Sequence, residues 1–194
     1  GYLKRVREIC TKNKVLMILD EIQTGFGRTG RLFAHEYEGI RPDMMTLGKA
    51  LGGGIMPVSA VVGSRETLGL FKPGEHGSTF GGTPLACAVG RMAIEVLKRE
   101  ELTRRSDELG RYFMERLRAI RSPVVDHVRG KGLLIGVVLK SSTGGARPYC
   151  ERLMKEGLLC KETHDYVIRF APPLVITKEE IDWALTRIEK ILAG

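Results

Sequence analysis

With 194 residues, 43% of them hydrophobic and 28% charged, the chain has the composition of an ordinary globular protein, long enough for one sizeable domain or two small ones. No apolar run approaches the roughly 18 residues of a membrane span, and the N-terminus has the character of neither a signal nor a transit peptide, so the chain is expected to begin inside a domain. The net charge of +8 is carried by mixed clusters such as Arg99-Glu100-Glu101 and Arg104-Arg105-Ser106-Asp107-Glu108, which read as solvated helix faces rather than a nucleic-acid stripe, although a basic surface attracts acidic substrates such as keto acids.

Apolar residues at Leu3, Val6 and Ile9 or Cys10 predict a first helix ending near Lys12-Asn13. Val15-Leu16-Met17-Ile18-Leu19 is an unbroken apolar run, which predicts a strand buried on both faces of a parallel sheet. Asp20-Glu21-Ile22-Gln23-Thr24-Gly25 follows directly, and a carboxylate at a buried strand end needs a positive partner. Taken alone, Asp20 is better explained by a helix cap or an ion pair with arginine.

Gly25-Phe26-Gly27-Arg28-Thr29-Gly30 matches the spacing of a dinucleotide fingerprint. Five residues, Asp20 to Thr24, separate it from the strand, however, where that fingerprint wants a tight strand-to-helix turn, and Pro42 downstream suits a crossover helix poorly. A strand is predicted over Met44-Met45-Thr46-Leu47 and another over Ser59-Ala60-Val61-Val62-Gly63. Between them, Gly48-Lys49-Ala50-Leu51-Gly52-Gly53-Gly54 places a lysine where the backbone turns tightly beside a ligand. A lysine used as an amine must be neutral part of the time, which a buried, electropositive site encourages; an exposed loop lysine is the plainer reading. Gly77-Ser78-Thr79-Phe80-Gly81-Gly82 then precedes a helix predicted from Pro84 to Arg99, with Thr83 as its N-cap and Leu85, Ala88, Val89, Met92, Ala93 and Val96 as its apolar stripe. Hydroxyls and free N–H groups ahead of a helix suit an anion, and a glycine turn with no ligand is the alternative.

A helix from about Leu102 to Ile120, carrying Leu109, Phe113 and Leu117, ends before Pro123. Beyond it come a strand at 133–139, a Ser/Gly-rich loop at 141–146 and a helix near Pro148 to Glu156. Short strands follow at 158–161 and 166–170, and Thr177 with Glu180 forms a capping box for a last helix. Two domains are expected, 1–122 and 123–194, the second small and α+β. Cys10, Cys87, Cys150 and Cys160 form no CxxC pair and no His spacing suited to zinc, so they read as core residues of a reducing compartment, with no metal site expected.

Together, Asp20 to Gly30, Leu47 to Gly54 and Gly77 to Gly82 resemble, in order and spacing, the class III (subgroup II) pyridoxal-phosphate aminotransferases. The resemblance implies an α/β chain: the C-terminal half of the large cofactor domain of a fold-type I aminotransferase, followed by a small α+β C-terminal domain. It implies that Asp20 pairs with the pyridinium nitrogen of pyridoxal 5'-phosphate, Gln23 bonds its phenolic oxygen and Lys49 holds it covalently and shuttles the proton. It further implies that Thr79, with Ser78 beside it, binds the phosphate of a neighbouring subunit, hence a homodimer or higher homo-oligomer.

Leu158-Leu159-Cys160-Lys161-Glu162-Thr163-His164 and Arg169-Phe170-Ala171-Pro172-Pro173 look most like the ornithine δ-aminotransferases, with acetylornithine and 4-aminobutyrate aminotransferases as alternatives. There, Arg169 would grip the α-carboxylate of 2-oxoglutarate or glutamate. The implied reaction moves the δ-amino group of L-ornithine to 2-oxoglutarate, in the cytoplasm, or in the mitochondrial matrix of a eukaryote. Thr83 stands where the family commonly has Asn. A full-length member carries an N-terminal half ahead of Gly1 that completes the pocket, so the isolated chain is expected to be inactive. A non-catalytic remnant or interaction module is the reading of another class.

Overall fold

The computed structural model describes residues 1–193. The chain divides into two compact units, one formed by Gly1–Gly27 with Arg31–Glu101 and the other by Arg28–Gly30 with the chain from Leu102 onward.

In the first unit, helix α1 (Tyr2–Lys12) leads into strand β1 (Ile18–Asp20), followed by β2 (Met44–Leu47), β3 (Ala60–Gly63) and helix α2 (Pro84–Arg99). The sheet order is β1-β2-β3, with β1 parallel to β2 and β3 antiparallel to β2. The return is antiparallel because residues 48–59 carry only a single 3-10 turn, Lys49–Gly52, and no crossover helix. Asp43 fixes the entry to β2: its carboxylate accepts from Met17 N and from Arg7 Nη1, both at 2.6 Å. Those two donors hold the Asp43 carboxyl below the usual carboxylate range.

The run at Val15–Leu19 was expected to be buried on both faces, yet Val15, Leu16 and Ile18 are each more than half exposed and only Met17 is buried. Side chains of a strand project to the two faces of its sheet, and the face carrying Leu16 and Ile18 is left uncovered in this chain, where β1 is also an edge strand. Helix α2 has the predicted bounds, but it buries Ala86, Gly90 and Leu97, while Leu85 and Met92 of the expected stripe are exposed. The helix is apolar on more than one face, and the residues that pack in this unit are those facing the 3-10 turn at Lys49–Gly52.

The second unit contains α3 (Leu102–Ala119), β4 (Val125–Lys131), β5 (Leu134–Leu139), α4 (Arg147–Lys155), β6 (Lys161–Thr163), β7 (Val167–Phe170) and α5 (Lys178–Leu192). Its sheet is antiparallel throughout, in the order β4-β5-β7-β6. Strand β5 alternates, with Ile135, Val137 and Leu139 buried and Leu134, Gly136 and Val138 less so. The buried residues join Ile168 and Phe170 of β7 and Phe113, Leu117 and Ile188 of the helices in one core. Strand β4 was not anticipated, and the short strand expected at 158–161 begins instead at Lys161.

The capping box forms as predicted: Glu180 N donates to Thr177 Oγ1 at 3.2 Å and Thr177 N donates to Glu180 Oε2 at 2.8 Å. Thr177→Ala should therefore cost about 1 kcal/mol, read from the urea midpoint at unchanged slope.

Candidate functional site

Parallel pairing decides what meets in the first unit. Asp20 stands opposite Thr46, and Glu21 N donates to Thr46 O at 3.0 Å. The chain therefore leaves β1 through Asp20 and β2 through Gly48-Lys49 at the same carboxyl edge of the sheet, where ligands of open α/β sheets collect. Asp20 is exposed and accepts only from Ile22 N, at 2.9 Å. Gln23 is half-buried, and its amide has no hydrogen-bond partner among the described residues.

Glu21, between them, is 2% exposed and was not singled out from the sequence. Its carboxylate accepts from Ala34 N at 3.1 Å, His35 N at 3.0 Å and the Thr24 hydroxyl, and lies 3.1 Å from His35 Nδ1. It pins the loop from Asp20 to His35, which is a succession of turns ending in a short 3-10 helix, Ala34–Glu38, with no α-helix after Gly25. The strand–turn–helix context of a dinucleotide fingerprint is thus absent. Arg28 of that stretch belongs to the second unit, where its guanidinium donates to Leu133 O at 3.1 Å and Pro172 O at 2.6 Å and burial lowers its pKa.

Lys49 opens the 3-10 turn after β2 with φ of 43°. A left-handed backbone at a residue other than glycine, asparagine or aspartate costs on the order of 1 kcal/mol and collects at functional sites. Lys49 is exposed rather than buried, with no hydrogen bond or ion pair among the described residues. It lines an open cleft of about 510 Å³ with Ile22, Gly48, Ser59, Ser78 and Phe80.

Across that cleft, Ser78 Oγ accepts from Gly81 N at 3.0 Å. Helix α2 begins without a side-chain cap: Thr83 sits at the N-cap position but makes no capping bond, and its Oγ1 is buried with no partner. The first-turn N–H groups and the Thr83 hydroxyl together form a donor set that lacks an acceptor. Thr79 lies in the same loop, exposed, and does not line the cleft; nor do Asp20 and Gln23. Of the six residues expected to act, the structure therefore brings Lys49 and Ser78 to one cleft, with Asp20 and Gln23 on the neighbouring strand end.

Arg169 belongs to the second unit, on β7, half-buried. Its guanidinium engages no hydrogen bond or ion pair among the described residues, so the strand-end ion pair that is its plainer explanation is not made. No group of three or more His, Cys, Asp or Glu side chains able to hold a metal occurs among the described residues.

The family model described as aminotransferase class-III matches residues 1–192. Ornithine aminotransferase of Geobacillus sp. (strain WCH70) is 60% identical over the whole chain, which covers 48% of that protein. That of Bacillus subtilis (strain 168) is 60% identical over 99% of the chain and 47% of its own length. Among solved structures, ornithine aminotransferase from Toxoplasma gondii ME49 aligns with a TM-score of 0.94 at 47% identity, covering 98% of this chain and 46% of that one. Acetylornithine aminotransferase from Elizabethkingia anophelis aligns with a TM-score of 0.91 at 45% identity, covering 99% of this chain and 49% of that one. A second Toxoplasma gondii ornithine aminotransferase structure is described as having partial occupancy of PLP at its active site. The chain spans about half the length of the curated relatives it matches.

Proposed function

The chain belongs to the class-III aminotransferases, and from that premise we propose that, completed by the remainder of a subunit, it transfers the δ-amino group of L-ornithine to 2-oxoglutarate with pyridoxal 5'-phosphate as cofactor. The products are glutamate 5-semialdehyde and glutamate. The observation that carries this reading is Lys49: an unpaired primary amine held in a left-handed turn at an open cleft beside the carboxyl ends of β1 and β2.

The donor set fits the cofactor. The orphaned Thr83 hydroxyl, the free first-turn N–H groups of α2 and the hydroxyls of Ser78 and Thr79 suit the phosphate of a neighbouring subunit's cofactor. The Asp20 carboxylate, bound only by its own loop, suits a protonated ring nitrogen. Pyridoxal phosphate, when bound, supplies an aromatic ring that accepts the electrons released as the substrate carbon loses its proton.

The chain's own residues do the rest. Lys49 would hold the cofactor through its amine and, once the substrate's amino group has displaced it, the freed amine would carry a proton from one substrate carbon to another. Asp20 would hold a proton on the ring nitrogen, and the Gln23 amide would donate to the ring's phenolic oxygen. Glu21 acts only through the loop it pins, keeping Asp20 and Gln23 at the strand end. Arg169 takes the α-carboxylate of the oxo acid or glutamate by a two-pronged bond. Ser78 and Thr79 reach the phosphate of a neighbouring subunit, which makes the enzyme a homodimer or higher homo-oligomer with shared sites.

We assign it to the cytoplasm; its four cysteines are all free, as in a reducing compartment. No described helix is long and apolar enough to cross a membrane.

The test is amino transfer to 2-oxoglutarate by the completed subunit, offered ornithine, acetylornithine and 4-aminobutyrate in turn. Ornithine should give the highest kcat/KM, and preference for either other donor would reassign the substrate. Asp20→Asn, which keeps shape but loses the charge, should lower kcat on the order of 10²-fold. An unchanged kcat would remove Asp20 from the chemistry.

A further inference from the structure

Arg28, in the glycine-rich stretch from Gly25 to Gly30, neither lines the cleft nor meets a carboxylate among the described residues. Its guanidinium donates instead to two backbone carbonyls, Leu133 O at 3.1 Å and Pro172 O at 2.6 Å. Those carbonyls have a fixed relation. Strand β5 pairs with β7 through Gly136 opposite Arg169 and Ile135 opposite Phe170, and the ladder stops there. Carried two residues further, the same register sets Leu133 against Pro172.

The ladder cannot continue through its own amides. Pro172 and Pro173 have no N–H to donate. Leu133 N is already taken, by Arg28 O at 3.1 Å and Ser106 Oγ at 3.2 Å. Arg28 therefore closes the open end, one guanidinium nitrogen bridging the two chains where paired amides would otherwise do so. The arginine is itself held in place. Ser106 Oγ donates to Arg28 O at 3.1 Å, and Thr29 beside it is buried. Gly132 makes room for this stretch: a Cβ there would lie 2.4 Å from the Thr29 carbonyl carbon and 2.5 Å from Gly30 N. Gly27 and Gly30, with φ of 84° and 86°, let the chain turn sharply on either side of it.

We propose that Arg28 is a positioning residue for Arg169, closing the end of the β5–β7 ladder so that the strand carrying Arg169 keeps a single place. This rests on the reading of Arg169 as the arginine that takes the carboxylate of 2-oxoglutarate. Arg169 lies three residues before Pro172 and one ladder pair inside the last. A two-pronged bond needs both direction and distance, and misplacement by about 1 Å can cost on the order of 10²-fold. A ladder that frays from Pro172 would loosen the backbone from which that bond is aimed.

The experiment compares Arg28→Met and Arg28→Lys, each alone and combined with Arg169→Gln, in the completed holoenzyme. KM for 2-oxoglutarate and kcat are measured, with the Kd of glutarate, an unreactive dicarboxylate, by calorimetry. Arg28→Met, which keeps the apolar stem but no donor, should raise KM and the glutarate Kd roughly tenfold, with kcat changed less than about twofold. Arg28→Lys, a cation with a shorter reach, should fall between. In the Arg169→Gln background neither change should raise KM further, because the bond that Arg28 aims is already gone. An equal rise in both backgrounds overturns the proposal, since Arg28 would then act on the fold at large. So does an unchanged glutarate Kd in Arg28→Met or, if that variant does not fold, in Arg28→Lys. If Arg169→Gln alone leaves 2-oxoglutarate binding untouched, the proposed role of Arg169 fails and this role for Arg28 fails with it.

Discussion

Lys49→Ala is expected to abolish amino transfer, lowering turnover by at least about 10³-fold, while leaving the melting temperature of the completed subunit unchanged. The two halves of this expectation come from different features of one residue. Chemically, Lys49 is the only amine lining the cleft among the described residues, and alanine cannot hold a cofactor or carry a proton. Structurally, the side chain contributes nothing that alanine lacks, since Lys49 is exposed and makes no bond among the described residues. The strain lies in the backbone, at φ of 43°, and alanine bears it as lysine does. Lys49→Gly isolates that strain: it should be equally inactive yet more stable by about 1 kcal/mol, because glycine enters the left-handed region without penalty. Turnover, visible absorbance of the bound cofactor and a thermal melt on the two variants separate chemistry from folding. Loss of activity accompanied by unfolding in Lys49→Ala would make the residue structural.

The largest effect on stability is expected at Gly110, in the middle of α3. A helix-interior glycine replaced by alanine ordinarily gains about 0.5–1 kcal/mol. Here a Cβ at Gly110 would fall 2.1 Å from Gly132 O and 2.2 Å from its carbonyl carbon. Both are backbone atoms, so no side chain can swing away. Gly132 is itself fixed, with φ of 52° and its own Cβ position 2.4 Å from the Thr29 carbonyl carbon. Ser106, buried one helical turn before Gly110, ties the same junction through bonds to Arg28 O and Leu133 N.

Gly110→Ala must therefore part α3 from the β4–β5 turn. The expected cost is roughly 3 kcal/mol or more, which exceeds the propensity gain and reverses the usual sign. Urea denaturation of the variant checks it; a midpoint at or above that of the parent would show that the helix shifts freely against the turn.

How much of this was legible in the sequence depended on whether the signal was local. Helix α2 starts at Pro84 and the last helix is capped by Thr177 and Glu180 because proline and the capping box act within one turn of chain. The paired strands β2 and β3 were legible for a similar reason: short apolar runs bounded by glycine and aspartate. Strand β4 was not, because Val125-Asp126-His127-Val128-Arg129-Gly130-Lys131 buries only Val128 and breaks register between Val125 and His127. A bulge interrupts the alternation by which such a strand is read. The stripe on α2 was misassigned because the helix is apolar on two sides and periodicity does not say which side packs in this chain.

At the site, Asp20, Gln23, Lys49, Ser78 and Thr79 were legible only as a set of three spaced motifs, since each has an ordinary explanation alone. Glu21 was passed over between two chemically conspicuous neighbours. Its partners, Ala34 and His35, lie 13 and 14 residues on, and no local pattern announces a pairing at that range.

The central claim is that Lys49 bears the cofactor, and covalent trapping tests it most directly. The completed subunit, loaded with pyridoxal phosphate, is treated with borohydride, digested and mapped by peptide mass. The account predicts one stable phosphopyridoxyl addition per subunit, on the peptide containing Gly48-Lys49-Ala50. An addition on any other lysine, or none on a subunit that transfers amino groups, would contradict it.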